Sequence, residues 1–281
     1  MRAASDGPIA AKQAQAEAIL ASLGSVAVAY SGGADSALVS ALAYRALGAR
    51  AVAVIDASPS LPEDELRDAR SVAATIGIEL VEIATDELSD ERYASNPADR
   101  CYYCKDALFT ALEGFLRTRG YDAIVDGYNA DDAAEVLHGR RAAAERAVRS
   151  PLYEAGLSKN EVRELSRALG LPTADKPASA CLASRFPTGM RVTREGLRQV
   201  ELAERVIRGL GVRELRVRHH GDTARIETAP EEIPLVVASR ETISRELRAL
   251  GFRYVVVDLE GYRRGGTAAA APIHLDGITL A

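Results

Sequence analysis

The sequence predicts an α/β fold, a doubly wound parallel sheet followed by a second, smaller α+β domain. Three observations carry this prediction. Four short apolar runs, at 25–30, 49–56, 78–84 and 121–127, alternate with segments of helical spacing. Continuous apolar strands of this kind belong to parallel sheets covered by helices on both faces. The first run ends in a glycine-rich turn, Ser31-Gly32-Gly33-Ala34-Asp35-Ser36. Past Pro187 the pattern changes, and Gly221-Asp222 between two strand-like runs signals a hairpin.

Each element has a local reason. Residues 10–22 are good helix formers. SVAVAY, 25–30, is the first strand, and ALVSALAYRALG, 37–48, has helical spacing and a glycine stop. ARAVAVID, 49–56, is the second strand. The helix over 62–77 opens on Pro62 and an acidic first turn and stops at Gly77. IELVEIA, 78–84, is the third strand, 104–119 a helix, and YDAIVDG, 121–127, the fourth strand. KNEVRELSRALG, 159–170, is a helix closed by Gly170 and Pro172. Then come a helix over 193–209, strands over 215–220 and 223–228, a helix over 239–250 and a strand over 252–258. The domains expected are 1–185 and 186–265, the boundary falling in 185–192, with a disordered tail at 266–281.

Lys and Arg number 35 against 40 Asp and Glu, a formal charge of −5. Such a chain lacks the electrostatic footprint of a general nucleic-acid binder. It contains no apolar run of about 18 residues, the length a membrane span needs. Met1–Ala11 carries one Arg and no apolar core of a secretory signal. The expectation is a cytoplasmic protein with no stable nucleic-acid partner and no membrane. Three cysteines without an export signal point to thiol or metal chemistry rather than a disulfide framework.

The turn at 31–36 carries the chemistry. Glycines let backbone approach an anion, and free N–H groups at a helix start point at it. Ser31 and Ser36 add hydroxyl donors. Asp35 repels a bare phosphate, so its presence calls for Mg²⁺ to neutralise the phosphates. The turn is neither a Walker A loop nor a dinucleotide GxGxxG. Only four lysines occur in the chain, which leads to the expectation that Mg²⁺ and Arg neutralise the charge. On an open α/β sheet ligands sit at the carboxyl ends of strands near the switch point. There the fourth strand supplies Asp126, Gly127 and Asn129, followed by Asp131 and Asp132, as nucleotide or Mg²⁺ contacts; an ordinary turn and helix cap explains the last two equally well.

Cys101 and Cys104 form a CxxC at a helix start, and Cys181 lies in KPASACLASR, 176–185. Arg100 and Arg185 flank these sites and favour thiolates. Structural zinc and four-iron clusters usually take four protein ligands. Three cysteines leave one iron open, an arrangement suited to chemistry; buried cysteines acting as small apolar groups are the bland alternative.

The SGGADS turn resembles the PP-loop of ATP pyrophosphatases. With GYNADD at 127–132, SPLYEAGLSKNEVRELSRALGLP at 150–172, KPASACLASR and RVRHHGDTARIE at 216–227, the chain from about 13 to 265 resembles the ATP-dependent sacrificial sulfur transferases of the LarE family. These serve the nickel-pincer cofactor pathway of lactate racemase. The resemblance implies an adenine nucleotide alpha hydrolase-like PP-loop domain. It implies ATP held by Ser31, Gly32, Gly33, Asp35, Ser36, Asp126, Gly127 and Asn129, with Mg²⁺ on Asp35. It implies adenylation of the carboxylates of pyridinium-3,5-biscarboxylic acid mononucleotide and their replacement by thiocarboxylates. In one branch the sulfur comes from the cysteine matching Cys181, which is left as dehydroalanine. In the other, three cysteines, here Cys101, Cys104 and Cys181, hold a 4Fe–4S cluster. The three-cysteine pattern favours the second branch. The implied partners are the small-molecule nucleotide substrate, further copies of the chain in a homo-oligomer, and a sulfide or cysteine-desulfurase source.

Further residues follow from pattern. Arg216 and Arg218 share one strand face and, with Ser184 and Arg185, suit a substrate phosphate. Glu204 and Glu227 suit polar contacts in the pocket, but a solvated face is the favoured reading. His219 and His220 point to opposite faces of a strand and are structural. The rival reading is a tRNA thiolase, which requires a basic surface that the −5 charge argues against. An amide-forming synthetase is a further rival, but its chemistry has no use for cysteines.

Overall fold

The computed structural model describes residues 7–134, 137–177 and 179–263. The tail expected at 266–281 lies outside the described residues. Four strands, β1 (Val26–Ala29), β2 (Ala51–Asp56), β3 (Glu79–Ile83) and β4 (Ala123–Val125), form one sheet in the order β3-β2-β1-β4. Every pairing is parallel, with Val26 opposite both Ala51 and Ala123. The fold class is the expected one. Helices α1 (Pro8–Ser22), α2 (Ala34–Leu47), α3 (Glu63–Ile76), α4 (Glu91–Ala94), α5 (Arg100–Arg119), α6 (Leu137–Glu145), α7 (Pro151–Glu154) and α8 (Lys159–Ala168) accompany it.

Strand alternation feeds two cores. Val26, Val28, Ala53 and Ile55 face one side, where they pack with Leu20 of α1, Leu38 and Leu42 of α2, and Val162 of α8. Ala27, Ala29, Val52 and Val54 face the other, against Phe109 and Leu112 of α5 and Ala142 of α6. Burial on both sides is why these strands read as unbroken apolar runs. β3 is one of the two edge strands and exposes Glu79 and Glu82. Arg70 of α3 grips Glu82 through two hydrogen bonds, of 2.6 and 2.7 Å. Charge on an edge discourages further strand addition.

Local chemistry ends the helices. Gly77 closes α3 with φ +83, and Ser158 with Glu161 forms a capping box for α8. α5 starts four residues before its expected beginning. Tyr102 N–H donates to Asp99 O (2.8 Å), so the CxxC lies inside the first turn despite its poor helix formers.

Contacts divide the chain into two compact units, one holding the residues up to Tyr93 with Asp99–Cys181, the other Ala94–Ala98 with the chain from Leu182 onward. In the second unit, β5 (Leu215–His220) pairs antiparallel with β6 (Thr223–Thr228), which pairs parallel with β7 (Tyr254–Val257). Helices α9 (Arg194–Gly209), α10 (Ile233–Ala238) and α11 (Arg240–Ala249) complete it. Leu215, Val217, Ala224, Ile226, Ile207 and Leu247 form its buried side. The excursion 94–98 is held there by Val192 N–H to Ala94 O (2.8 Å) and Asn96 Nδ2 to Pro187 O (2.7 Å). The second unit opens at Leu182, a few residues before the expected 185–192, and the five-residue excursion leaves no compositional mark by which the sequence could show it. No helix among the described residues is long and apolar enough to cross a membrane.

Candidate active site

The sheet order sets the site. The chain runs outward from β1 to β3, then returns to place β4 on the other side of β1. The turns after β1 and β4 therefore border the switch-point crevice. After β1, Tyr30 N–H still donates to Val54 O (2.9 Å), and the chain turns through Ser31–Gly33 into α2. Gly32 has φ +72, and a Cβ there would lie 2.7 Å from Ala69 Cβ. Ser36 Oγ organises the turn. It accepts from Ser31 N–H (3.2 Å), lies 3.1 Å from Ser31 Oγ and donates to Gly33 O (3.2 Å). Gly33 caps α2 in extended conformation with no side-chain cap, so first-turn N–H groups face outward for an anion.

The β4 turn presses onto that helix start. A Cβ on Gly127 would stand 2.7 Å from Ser36 N. Asp126 Oδ1 accepts from Ser150 Oγ (2.7 Å). Asn129, fully buried, donates through Nδ2 to Asp35 Oδ1 (3.1 Å), and its Oδ1 accepts from Asp131 N–H (2.9 Å). Asp132 Oδ2 in turn accepts from Asn129 N–H (3.1 Å). Asp35, Ser36, Asp126, Gly127 and Asn129, widely separated in sequence, thus form one constellation.

Two cavities flank Ser31 and Asp35. One, of about 250 Å³, includes Ser36, Asp126, Gly127, Lys105 and Arg140. The other, of about 300 Å³, includes Gly33, Lys159, Lys176 and Cys181. Cys181 therefore lines the same cavity as the glycine-rich turn. Three of the chain's four lysines line these cavities beside Arg140, so lysine adds to the positive charge expected there. Lys159 Nζ is ion-paired with Asp35. Lys176 Nζ pairs with Glu65 (2.7 Å). No local signal marks Lys159, because the fold of α8 onto α2 brings it there.

Cys101 and Cys181 are exposed, and Cys104 is half-buried. Its thiol pKa is pushed up to about 12, by burial first and then by the negative charge of Cys181, with smaller contributions from Glu87 and Cys101. Burial and then Cys181 likewise raise the Tyr93 phenol. Cys104 thus lies in the fields of the other two thiols, and the donor chemistry of all three suits iron. Among the described residues no three His, Cys, Asp or Glu side chains stand preformed around a metal position, so a cluster requires the thiols to draw together.

In the second unit the expected phosphate ligands meet, but most are already engaged. Arg185 donates to Glu204 from Nε (2.8 Å) and Nη2 (3.0 Å), and to Ser184 Oγ (3.1 Å). Arg218 pairs with Glu227 (2.7 Å) and donates to Ser184 O (3.0 Å). Glu204 and Glu227 are both 2 % exposed as side chains, which corrects their reading as a solvated face. Buried charges need partners, and here glutamate and arginine supply each other. Burial is the largest influence on Glu204 and pushes its pKa up; Arg185, Arg208 (2.9 Å) and Val217 N–H together outweigh it and leave the pKa lowered. Arg216 makes no ion pair among the described residues; its guanidinium sits over the Tyr262 ring. Burial, followed by the charge of Arg185, lowers its pKa. His219 stacks on Phe186 (4.8 Å between ring centres) and bonds Gln199 through Nε2 (3.0 Å), a structural role as expected.

Comparison with known proteins agrees with this geometry. The NAD synthase family matches residues 17–107. The chain is 38 % identical over 92 % of its length to the pyridinium-3,5-bisthiocarboxylic acid mononucleotide synthase of Lactiplantibacillus plantarum, covering 94 % of that protein. It is 45 % identical to an uncharacterised protein of Synechocystis, over 85 % of this chain and 90 % of the other. A tRNA-specific 2-thiouridylase of Sphingopyxis alaskensis is 30 % identical over 55 % of the chain and 50 % of that protein. A PP-loop turn on a parallel sheet, a cysteine in its cavity and near full-length similarity place the chain in the LarE family of ATP-dependent sulfurtransferases.

Proposed function

We propose that the protein adenylates the carboxylates of pyridinium-3,5-biscarboxylic acid mononucleotide and converts them to thiocarboxylates for nickel-pincer cofactor synthesis. The observation that carries this reading is the shared cavity of Ser31, Gly33, Asp35 and Cys181. A carboxylate resists attack because its leaving group would be oxide; as an acyl-adenylate it loses AMP instead. The turn N–H groups, Lys159 and Lys176 bind and orient the triphosphate and stabilise charge on departing pyrophosphate. Asp35, which Lys159 pairs, would hold Mg²⁺, and the ion would neutralise phosphate charge. Arg216 and Ser184 bind the substrate phosphate, and Arg185 and Arg218, fixed by their glutamates, hold them in place. The second unit also mediates homo-oligomerisation.

Cys101, Cys104 and Cys181 would hold a 4Fe–4S cluster whose open iron supplies sulfide. The exposed position of Cys181 favours a second reading, in which its own Sγ attacks the acyl carbon and AMP leaves. Loss of the Cα proton then breaks Cβ–Sγ, which frees the thiocarboxylate and leaves dehydroalanine. Anaerobic purification with iron and sulfide decides between them. Brown protein that turns over repeatedly supports the cluster. Colourless protein whose Cys181 loses the mass of H₂S after one turnover supports the sacrificial route. Absence of substrate-dependent AMP formation rejects both.

A further inference from the structure

Asp56 and Glu87 are carboxylates that the proposed reaction leaves unused. Asp56 ends β2, and Glu87, 2 % exposed, lies in the turn after β3. One hydroxyl stands between them: Thr85 Oγ1 is 2.7 Å from Asp56 Oδ2 and 2.5 Å from Glu87 Oε2. A hydroxyl owns one proton and donates once. It can satisfy one carboxylate only, so the other short contact needs a carboxyl O–H as donor. The hydrogen inventory closes when one of the two acids is protonated.

The surrounding contacts agree. Asp56 Oδ1 accepts from Thr85 N–H (2.9 Å), and Glu87 Oε1 accepts from Ser60 Oγ (3.0 Å). Ser60 Oγ lies 2.7 Å from the Tyr93 hydroxyl, which then donates to it. Among the described residues no Lys, Arg or His pairs with either carboxylate. Burial and the charge of Glu87 raise the Asp56 pKa over opposing hydrogen bonds from Thr85 and Ser58. The titratable groups that act on Tyr93 at the far end of this hydrogen-bond chain are Cys181, Cys104 and Glu87, while Lys105 and Cys101 act on Cys104 in turn.

We propose that Asp56 and Glu87 hold one proton between them across Thr85 Oγ1, and that this proton, through Ser60, keeps Tyr93 fixed beside the cysteines and so makes sulfur delivery pH-dependent. Loss of the proton leaves two anions, Glu87 buried and Asp56 half-buried, competing for one hydroxyl. The Thr85–Glu87 link opens, and Tyr93 loses its ordered acceptor. Tyr93 is a positioning residue here. The effect on sulfur delivery rests on the reaction proposed above; the shared proton does not.

The test uses the full chain and its Glu87→Gln variant, whose amide donates to Thr85 at every pH. Infrared spectra of the wild type at neutral pH should show a protonated carboxyl band that Glu87→Gln lacks; its absence from the wild type overturns the proposal. The native state holds one proton more than the unfolded chain. The folding constant of the wild type should therefore fall about tenfold per pH unit relative to Glu87→Gln, from the ordinary carboxylate range up to the pair's midpoint. Parallel pH dependence overturns it. Above the midpoint, thiocarboxylate formation should fall while substrate-dependent pyrophosphate release persists, and Glu87→Gln should flatten that limb. A parallel loss of both activities overturns the link to the cysteines. If pyrophosphate release is missing at every pH, the reaction assignment fails, while the infrared and stability results still decide the proton pair.

Discussion

Gly127 and Ser36 are in backbone contact: a Cβ on Gly127 would come within 2.7 Å of Ser36 N and 3.0 Å of Ser36 Cα. The β4 turn thus rests on the first turn of α2, the two segments that border the switch point. Gly127→Ala should force them apart, costing about 1–3 kcal/mol of stability and weakening ATP binding at least tenfold. Thermal denaturation and ATP titration calorimetry measure both. Gly209→Ala, a helical position where an added Cβ meets nothing within 4 Å, should leave ATP binding unchanged and stability equal or slightly raised.

Lys159 holds the Asp35 carboxylate. Lys159→Met removes a charge-assisted contact to the triphosphate, worth about 1.5 kcal/mol or more. Affinity for MgATP should fall by roughly tenfold. Asp35, left with its Asn129 hydrogen bond, should bind Mg²⁺ without nucleotide more readily than in the wild type, because its competing ammonium is gone. Calorimetry with MgATP and with Mg²⁺ alone separates the two effects, and unchanged affinities would remove Lys159 from the site.

The metal-free thiols should react unequally. The Cys104 pKa, pushed up to about 12, keeps that thiol neutral at pH 8, while Cys101 and Cys181 are exposed. Only a thiolate alkylates rapidly. Iodoacetamide should modify Cys101 and Cys181 at least tenfold faster than Cys104. Cys181→Ala should speed Cys104 by removing a neighbouring negative charge. Peptide mass spectrometry over time reads all three rates.

Glu204 balances Arg185 and Arg208 in a buried position. Glu204→Gln should cost about 3–5 kcal/mol by leaving buried positive charge uncompensated. The lowered Glu204 pKa gives stability that is present above the unfolded carboxyl value and lost as pH falls through the folded one. The wild type should therefore show an acid-unfolding limb below about pH 4 that the variant lacks. Denaturant midpoints across pH measure it.

Much of the first unit was legible in the sequence because its signals are local. VAVA and AVAVID are apolar on both strand faces, Gly77 and Gly120 stop helices, and SGGADS needs only a strand before it and a helix after it. The same segments mark Asp35, Asp126 and Asn129 as site residues, because they follow directly on strand ends. Glu204 and Glu227 were misread because a glutamate on an amphipathic element looks solvent-facing unless its partner is known. Their partners Arg185 and Arg218 lie 19 and 9 residues away.

What the residues alone determined is the sheet, its crossing helices, the anion-binding turn and the three thiols, since each follows from periodicity, glycine conformation or side-chain chemistry within a short window. What only the tertiary structure decided is which charges meet. Lys159 reaches Asp35 across 124 residues, Cys181 opens into the cavity of Ser31, and a single Thr85 hydroxyl lies between two acids. Electrostatic pairing depends on distance through space and on exclusion of water, and neither is written in the spacing of residues along the chain.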